Sequence, residues 1–238
     1  MKPTKLAVVT GSSGEIGQAI CESLLSENFK IIGVDIEPKK GKLNYDHISG
    51  SVEDFSIIEE VFLKVRKLQP DFFVLINNAG VSLPFEKTAN YWEKTIRINL
   101  SSPFFWMESA ASYFEEMKCG GRIISVTSLS AELAFPNNPA YMASKSGLKQ
   151  LTKSYGLRLG PLGICCNNVG PGYIHTKFNS KSLDDPKAYD MREQRSILNR
   201  WGIPLEVANV VLFLTSQKSE FITCQDIYVD GGWLAKGI

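Results

Sequence analysis

The chain has 238 residues, 44% of them hydrophobic, and its 26 Lys+Arg against 25 Asp+Glu leave a formal charge of +1. That composition predicts a folded chain with one full core and excludes a disordered or collagen-like polymer. The balanced charge lacks the broad positive field that a phosphate backbone attracts, so nucleic acid is not an expected partner.

The first apolar stretch, Leu6 to Val9, is too brief for a signal core or a membrane span, which predicts a soluble cytoplasmic protein without a membrane partner. With Thr10 it reads as a strand. Thr10-Gly-Ser-Ser-Gly-Glu-Ile-Gly17 follows, and a helix pattern runs over 15–27. Glycines at 11, 14 and 17 permit a tight turn, close approach of a pyrophosphate and close packing of helix on strand, while the helix N-terminus offers unpaired N–H groups.

A second strand, 30–35, ends on Asp35, 18 residues beyond Gly17. A carboxylate there accepts from both adenosine ribose hydroxyls and repels a 2′-phosphate. Glu37 and Glu15 add negative charge, so the spacing predicts NAD rather than NADP. Further strands are predicted at 72–76, 122–126, 163–167 and 226–229, alternating with amphipathic segments near 53–68, 91–118, 140–159 and 204–216. Six strands joined by helical crossovers predict an α/β fold: one domain over 1–238, a doubly wound parallel sheet in three layers, with ligands at the strand C-termini.

Two Tyr–Lys pairs have a spacing of four: Tyr141 with Lys145, and Tyr173 with Lys177. Only Tyr141 opens a helix pattern, which sets its phenol and the Lys145 ammonium on one face. Ser128, just past the strand at 122–126, is placed to share a carbonyl oxygen with Tyr141. The five cysteines, Cys21, Cys119, Cys165, Cys166 and Cys224, form no CxxC and lie near no His at zinc spacing, so no metal is expected and free thiols are.

Together the glycine loop at 10–17, Asn77-Asn-Ala-Gly80, Asn99, Ser128, Tyr141 with Lys145, Asn168-Val-Gly-Pro-Gly-Tyr-Ile-His-Thr176 and Val229-Asp-Gly-Gly-Trp233 resemble the short-chain dehydrogenase/reductase family over nearly the whole chain. The resemblance implies a Rossmann fold and an NAD-dependent oxidoreductase acting on a secondary alcohol or ketone. It makes Tyr141 the general acid/base, Ser128 the group that orients the reacting carbonyl, Lys145 the partner of Tyr141 and of the nicotinamide ribose, and Asn99 the holder of a relay water. It also implies that Gly11, Ser13, Gly14, Glu15, Ile16 and Gly17 face the phosphates, Asp35, Ile36, Asn78, Ala79 and Gly80 the ribose, and Ser51 and Val52 the adenine. Pro171, Gly172, Ile174 and Thr176 would hold the carboxamide and phosphates.

The loop departs from the TGxxxGxG spacing of the single-domain branch, with Glu15 where that branch has Gly, and resembles the TGxxGxxG of the extended branch. Glu15 is expected to point outward from the first helical turn, where the helix dipole favours a carboxylate. The polar segment 177–199 resembles a substrate lid. Within it Lys177, Lys181, Arg192 and Arg195 could receive an anionic group, but Asp184, Asp185, Asp190 and Glu193 nearly balance them, which reads as a solvated mixed-charge face. Leu83, Phe85, Phe135 and Trp201 are candidate apolar walls.

Aromatic-rich helices at 91–118 and 140–159, and an ending in which Trp233, Leu234 and Ile238 resemble the family's tetramer contact, imply a homotetramer, or next a dimer. Two other readings are a non-catalytic dinucleotide sensor or scaffold, and an epimerase or dehydratase on a nucleotide-linked sugar.

Overall fold

The computed structural model describes residues 4–39 and 41–236, leaving Ile238 outside. Within it the strands are β1 (Lys5–Thr10), β2 (Phe29–Asp35), β3 (Asp46–Ser49), β4 (Phe72–Asn77), β5 (Gly120–Val126), β6 (Cys165–Pro171) and β7 (Asp226–Val229). All pairings are parallel, in the order β3-β2-β1-β4-β5-β6-β7. The order reverses between β1 and β4, so the C-terminal ends of those two strands open the crevice where such sheets take ligands.

Six strands match the predicted ones; β3 is additional. It has four residues, of which only Ile48 is buried, so it carries no apolar run to read, and it forms because the edge of β2 is free to pair. The strand predicted at 163–167 starts later and runs on to Pro171. Gly163, at φ 78°, closes the turn out of the preceding helix, a left-handed conformation that glycine adopts without cost. Pro171 is tolerated at the strand's last position, where a ladder donor is dispensable.

The helices are α1 (Glu15–Ser26), α2 (Phe55–Leu68), α3 (Ala89–Ile96), α4 (Ser102–Met117), α5 (Pro139–Leu159), α6 (Ser180–Leu183), α7 (Pro186–Arg195), α8 (Pro204–Thr215) and α9 (Trp233–Lys236). The helix predicted over 91–118 is interrupted by a π turn at Arg97–Ser101. Pro103 has no N–H to give the Asn99 carbonyl four residues earlier, so an ordinary α bond cannot close there. The backbone widens instead, and Ser102 N–H donates to the Arg97 carbonyl.

Each face of the sheet has its own core. On one side Phe62, Phe73, Trp106, Tyr113 and Phe114 pack between the strands, α2, α4 and α5. Fully burying side chains of this size contributes about 1.5–3 kcal/mol apiece. Two polar groups there share one acceptor: Trp106 Nε1 and Ser102 Oγ both donate to the Val52 carbonyl, at 3.0 and 2.6 Å. On the other side α1 and α8 bury Ile20, Leu24, Val207 and Val211 against the strands.

Candidate active site

The crevice is built first from backbone. Gly11 sits at φ 67°, and a Cβ on Gly17 would lie 2.0 Å from the Gly11 carbonyl oxygen, so both positions of the turn require glycine. The Thr10 hydroxyl accepts from the amides of Asn78 and Ala79 at 3.0 and 3.1 Å. Asn78 Nδ2 donates to the carbonyls of Thr10 and Gly11, both at 3.0 Å. The Asn78 side chain, expected at the ribose, thus spends its donors locking the end of β4 to the glycine turn.

Asp35 is fixed in the same way. Its carboxylate accepts the Ser13 amide at 2.9 Å and the Glu37 amide at 2.9 Å, joining the end of β2 to the loop and leaving lone pairs on both oxygens. Ile36 beside it is exposed and Val52 is buried, while Ser51 Oγ accepts from the Glu53 amide. At the mouth of the turn, Gly14 caps α1 without a side-chain hydrogen bond, and a Cβ there would meet only the Gly11 carbonyl oxygen at 3.5 Å. Open backbone amides next to glycine surfaces suit a pyrophosphate. Glu15 does not point outward. Its carboxylate reaches across the mouth and accepts the Lys177 amide at 2.8 Å, because that amide is an available donor facing it from the segment after Thr176.

The second half of the site comes from β5 and α5. Ser128 stands in extended conformation two residues past β5, its Oγ accepting the Ser130 amide at 3.1 Å. One turn apart on α5 are Tyr141 and Lys145; the Lys145 ammonium is 5.8 Å from the Tyr141 ring centre and donates to the Val126 carbonyl at 2.9 Å. Asn99, fully buried in the π turn, clamps the loop after β4. Its Oδ1 accepts from Val81 N, and its Nδ2 donates to Val81 O and to Ser144 Oγ. Gly80 completes the contact, since a Cβ there would lie 3.2 Å from Lys145 Nζ and 3.4 Å from Asn99 Oδ1. The loop after β4, the π turn and α5 therefore meet at one point.

Desolvation dominates the electrostatics. It pushes the Tyr141 phenol up to about 12, against a smaller favourable effect of the Ser128 hydroxyl, and holds the Lys145 ammonium down to about 8. The sign for stability follows from linkage. Between about pH 8 and 10.5 the unfolded chain keeps the Lys145 proton that the folded chain has released, so stability rises with pH across that window. The penalty on the charged form is present in full below pH 8 and is worth about 3 kcal/mol. Urea unfolding of wild type and Lys145→Met from pH 7 to 10.5 should show the wild type gaining stability relative to the variant. Parallel curves would refute the buried ammonium.

Pro171 ends β6 beside the crevice and Gly172 follows it, where a Cβ would lie 2.8 Å from Asp230 Cα. Ile174 and Thr176 are buried, with Ile174 bridged to Gly202. Of the walls expected from sequence, Phe135 packs on Trp233 and Trp201 is buried between Tyr173 and Tyr189. Phe85 instead packs on Tyr91 and is partly exposed. Sequence reasoning missed Tyr173, Phe178 and Trp233. Phe178 lies 6.2 Å from the Tyr141 ring, and Tyr173 stacks on Trp233 at 5.0 Å. Their signal was the clustering of aromatics just after the Pro-Gly turn and the Asp-Gly-Gly turn. The polar segment 177–199, which resembles a substrate lid, forms α6, α7 and short turns.

Comparison with known proteins agrees with this arrangement. A family model described as enoyl-(acyl carrier protein) reductase matches residues 11–234. The 3-oxoacyl-[acyl-carrier-protein] reductase of Escherichia coli is 32% identical over 238 residues, covering 96% of both chains. Among solved structures, a 4-hydroxyisoleucine dehydrogenase complexed with NADH superposes with a TM-score of 0.90 at 28% identity, covering 98% of this chain and 99% of the other. A gluconate 5-dehydrogenase from Burkholderia cenocepacia, in complex with NADP and tartrate, gives 0.89 at 26%, covering 97% and 95%. With this fold, this glycine turn and relatives matched from end to end, the chain belongs to the short-chain dehydrogenase/reductase family of oxidoreductases.

Proposed function

We propose that the chain transfers a hydride between NAD(H) and a secondary alcohol or its ketone, with Tyr141 moving the proton. The observation that carries this reading is the convergence of Ser128, Tyr141 and Lys145 at the C-terminal end of β5, beside the glycine turn of β1. The nicotinamide, when bound, supplies or accepts the hydride. The loop from Gly11 through Ser13, Gly14 and Ile16 to Gly17 would hold its phosphates, and Asp35 and Ile36 the adenosine ribose. Ser51 and Val52 would border the adenine. Asn78, Ala79 and Gly80 would line the ribose through backbone, while Pro171, Gly172, Ile174 and Thr176 would take the carboxamide side.

This chain's own work is proton transfer. Ser128 holds the substrate oxygen against the Tyr141 hydroxyl. Tyr141 gives that oxygen a proton in reduction and removes one in oxidation. Lys145 favours the phenolate by its charge and binds the nicotinamide ribose. The Asn99 carbonyl, denied its helical partner by Pro103, is the acceptor that suits a relay water. The segment 177–199 acts as a lid, tied to the phosphate loop through Glu15.

The reading extends to assembly and place. Phe104, Phe105, Leu100 and Leu151 line an apolar hollow between α4 and α5, which supports pairing of these helices and a homotetramer; light scattering would return the mass of four chains. Five free thiols support a cytoplasmic setting. A panel of alcohols, hydroxy acids, sugars and steroids, read as NADH absorbance, tests the activity. Tight NADH binding with no turnover anywhere would favour a dinucleotide sensor, and turnover without net NADH an epimerase or dehydratase.

A further inference from the structure

Of the five cations in the lid, Lys177, Lys181, Lys187, Arg192 and Arg195, one stands apart. Arg192, on α7, is half-buried, and its guanidinium lies 4.7 Å from the Tyr173 ring centre. Its Nη1 donates only to the Ala188 carbonyl of its own helix, at 3.1 Å, and its Nε is buried with no acceptor. Among the described residues no carboxylate pairs with it. A partly buried guanidinium with neither counter-ion nor a full set of acceptors is costly unless something else fills that role.

Arg192 lines a cavity of about 370 Å3 together with Tyr173, Tyr228 and Trp233, a size suited to a small ligand. The other charges on its wall are already satisfied. Glu206 is paired with Arg200 and also accepts the Ile203 amide. Asp230 accepts the amides of Gly232 and Leu234 at 2.8 and 2.9 Å. Among the charged groups on this wall, Arg192 is the one that leaves a buried polar atom without a partner. Tyr173, which lines the cavity, stands five residues before Phe178, whose ring lies 6.2 Å from that of Tyr141, so one short segment borders both the cavity and the reacting centre.

We propose that Arg192 is the anchor for a substrate carboxylate, and that the substrate is a hydroxy acid or keto acid whose carbinol or carbonyl carbon lies at Tyr141. A guanidinium is planar and offers parallel N–H donors, which match a carboxylate. Seated on Tyr173 it loses little freedom on binding, because the ring already fixes its plane. This inference rests on the proposed hydride transfer for the position of the reacting carbon, whereas the anion site itself does not depend on it.

The test separates the two. Succinate, a saturated dicarboxylate with no hydroxyl to oxidise, is titrated calorimetrically into wild type, Arg192→Met and Arg192→Lys, each with and without saturating NADH. NADH affinity is measured alongside by fluorescence. The expected result is that Arg192→Met weakens succinate binding about 10–100-fold, that Arg192→Lys recovers part of it, and that NADH affinity is unchanged in both. For a matched acid and its methyl ester as substrates, KM for the acid should rise in Arg192→Met while the ester's does not. Equal succinate affinity in wild type and Arg192→Met, no succinate binding to wild type in either state, or equal losses for acid and ester would overturn the anchor. Failure of NADH to bind would overturn the proposed function and leave the succinate titration of the free protein to decide Arg192.

Discussion

Tyr141→Phe is expected to lower turnover by about 10²–10⁴-fold, the usual contribution of a positioned acid/base group, while leaving the fold and NADH affinity intact. The substitution removes one oxygen. The ring still packs against Phe178, and α5 keeps its Lys145 bond to Val126, so the loss reports proton transfer rather than collapse of the site. The environment explains why the phenol needs help. Burial pushes it up to about 12 and the Ser128 hydroxyl recovers only part of that, so an unassisted phenolate is scarce at neutral pH. Lys145 can assist while charged, but burial has brought it down to about 8. Alcohol oxidation should therefore rise with pH as the Tyr141–Lys145 pair loses a proton, and Lys145→Met should move that rise to higher pH. More than a tenth of wild-type turnover in Tyr141→Phe would remove the phenol from the mechanism.

Much of this site was legible in the sequence because its positions are dictated by local rules. Gly11 and Gly17 are required by a left-handed φ and by a 2.0 Å approach to backbone, which a glycine pattern after a strand announces. Tyr141 and Lys145 share a face because a helix repeats that way. What stayed hidden depends on contacts between distant segments. The edge strand β3 has one buried side chain, and pairing with β2 rather than an apolar run makes it. The π turn follows from Pro103 acting on a carbonyl four residues back, inside a stretch whose periodicity reads as one helix. Glu15 reads as an outward carboxylate at a helix start, yet a partner amide 162 residues on draws it across the crevice. Tyr173 shares the Tyr–Lys spacing but opens no helix pattern, so the sequence gives it no partner, whereas the fold stacks it on Trp233 and under Arg192. The lid carries nearly as many acids as cations, and only the fold separates Arg192, whose guanidinium lies over Tyr173 with a buried Nε that has no acceptor, from the rest.

Asp35 carries the second large effect. We expect wild type to use NAD with a kcat/KM at least about 100-fold above that for NADP, and Asp35→Ala to remove most of that preference, chiefly by losing about 1.5–3 kcal/mol of charge-assisted hydrogen bonding to the ribose hydroxyls. The carboxylate is held by the amides of Ser13 and Glu37, so it cannot swing away from a 2′-phosphate. The nearby cation Lys39 is committed elsewhere, donating to the Tyr45 carbonyl at 3.3 Å and lying over the Tyr45 ring, which leaves it poorly placed to welcome that phosphate. The solved relatives with NADH and with NADP indicate that this scaffold serves either dinucleotide, so the choice falls to side chains at the end of β2. Because Asp35 also supports the loop, Asp35→Asn is the discriminating companion. It keeps an acceptor for the Ser13 amide but loses the charge, so NADP should gain in both variants while stability falls mainly in Asp35→Ala. A wild type that prefers NADP, or an Asp35→Asn variant with an unchanged NAD/NADP ratio, would show that the charge at this position does not select the cofactor.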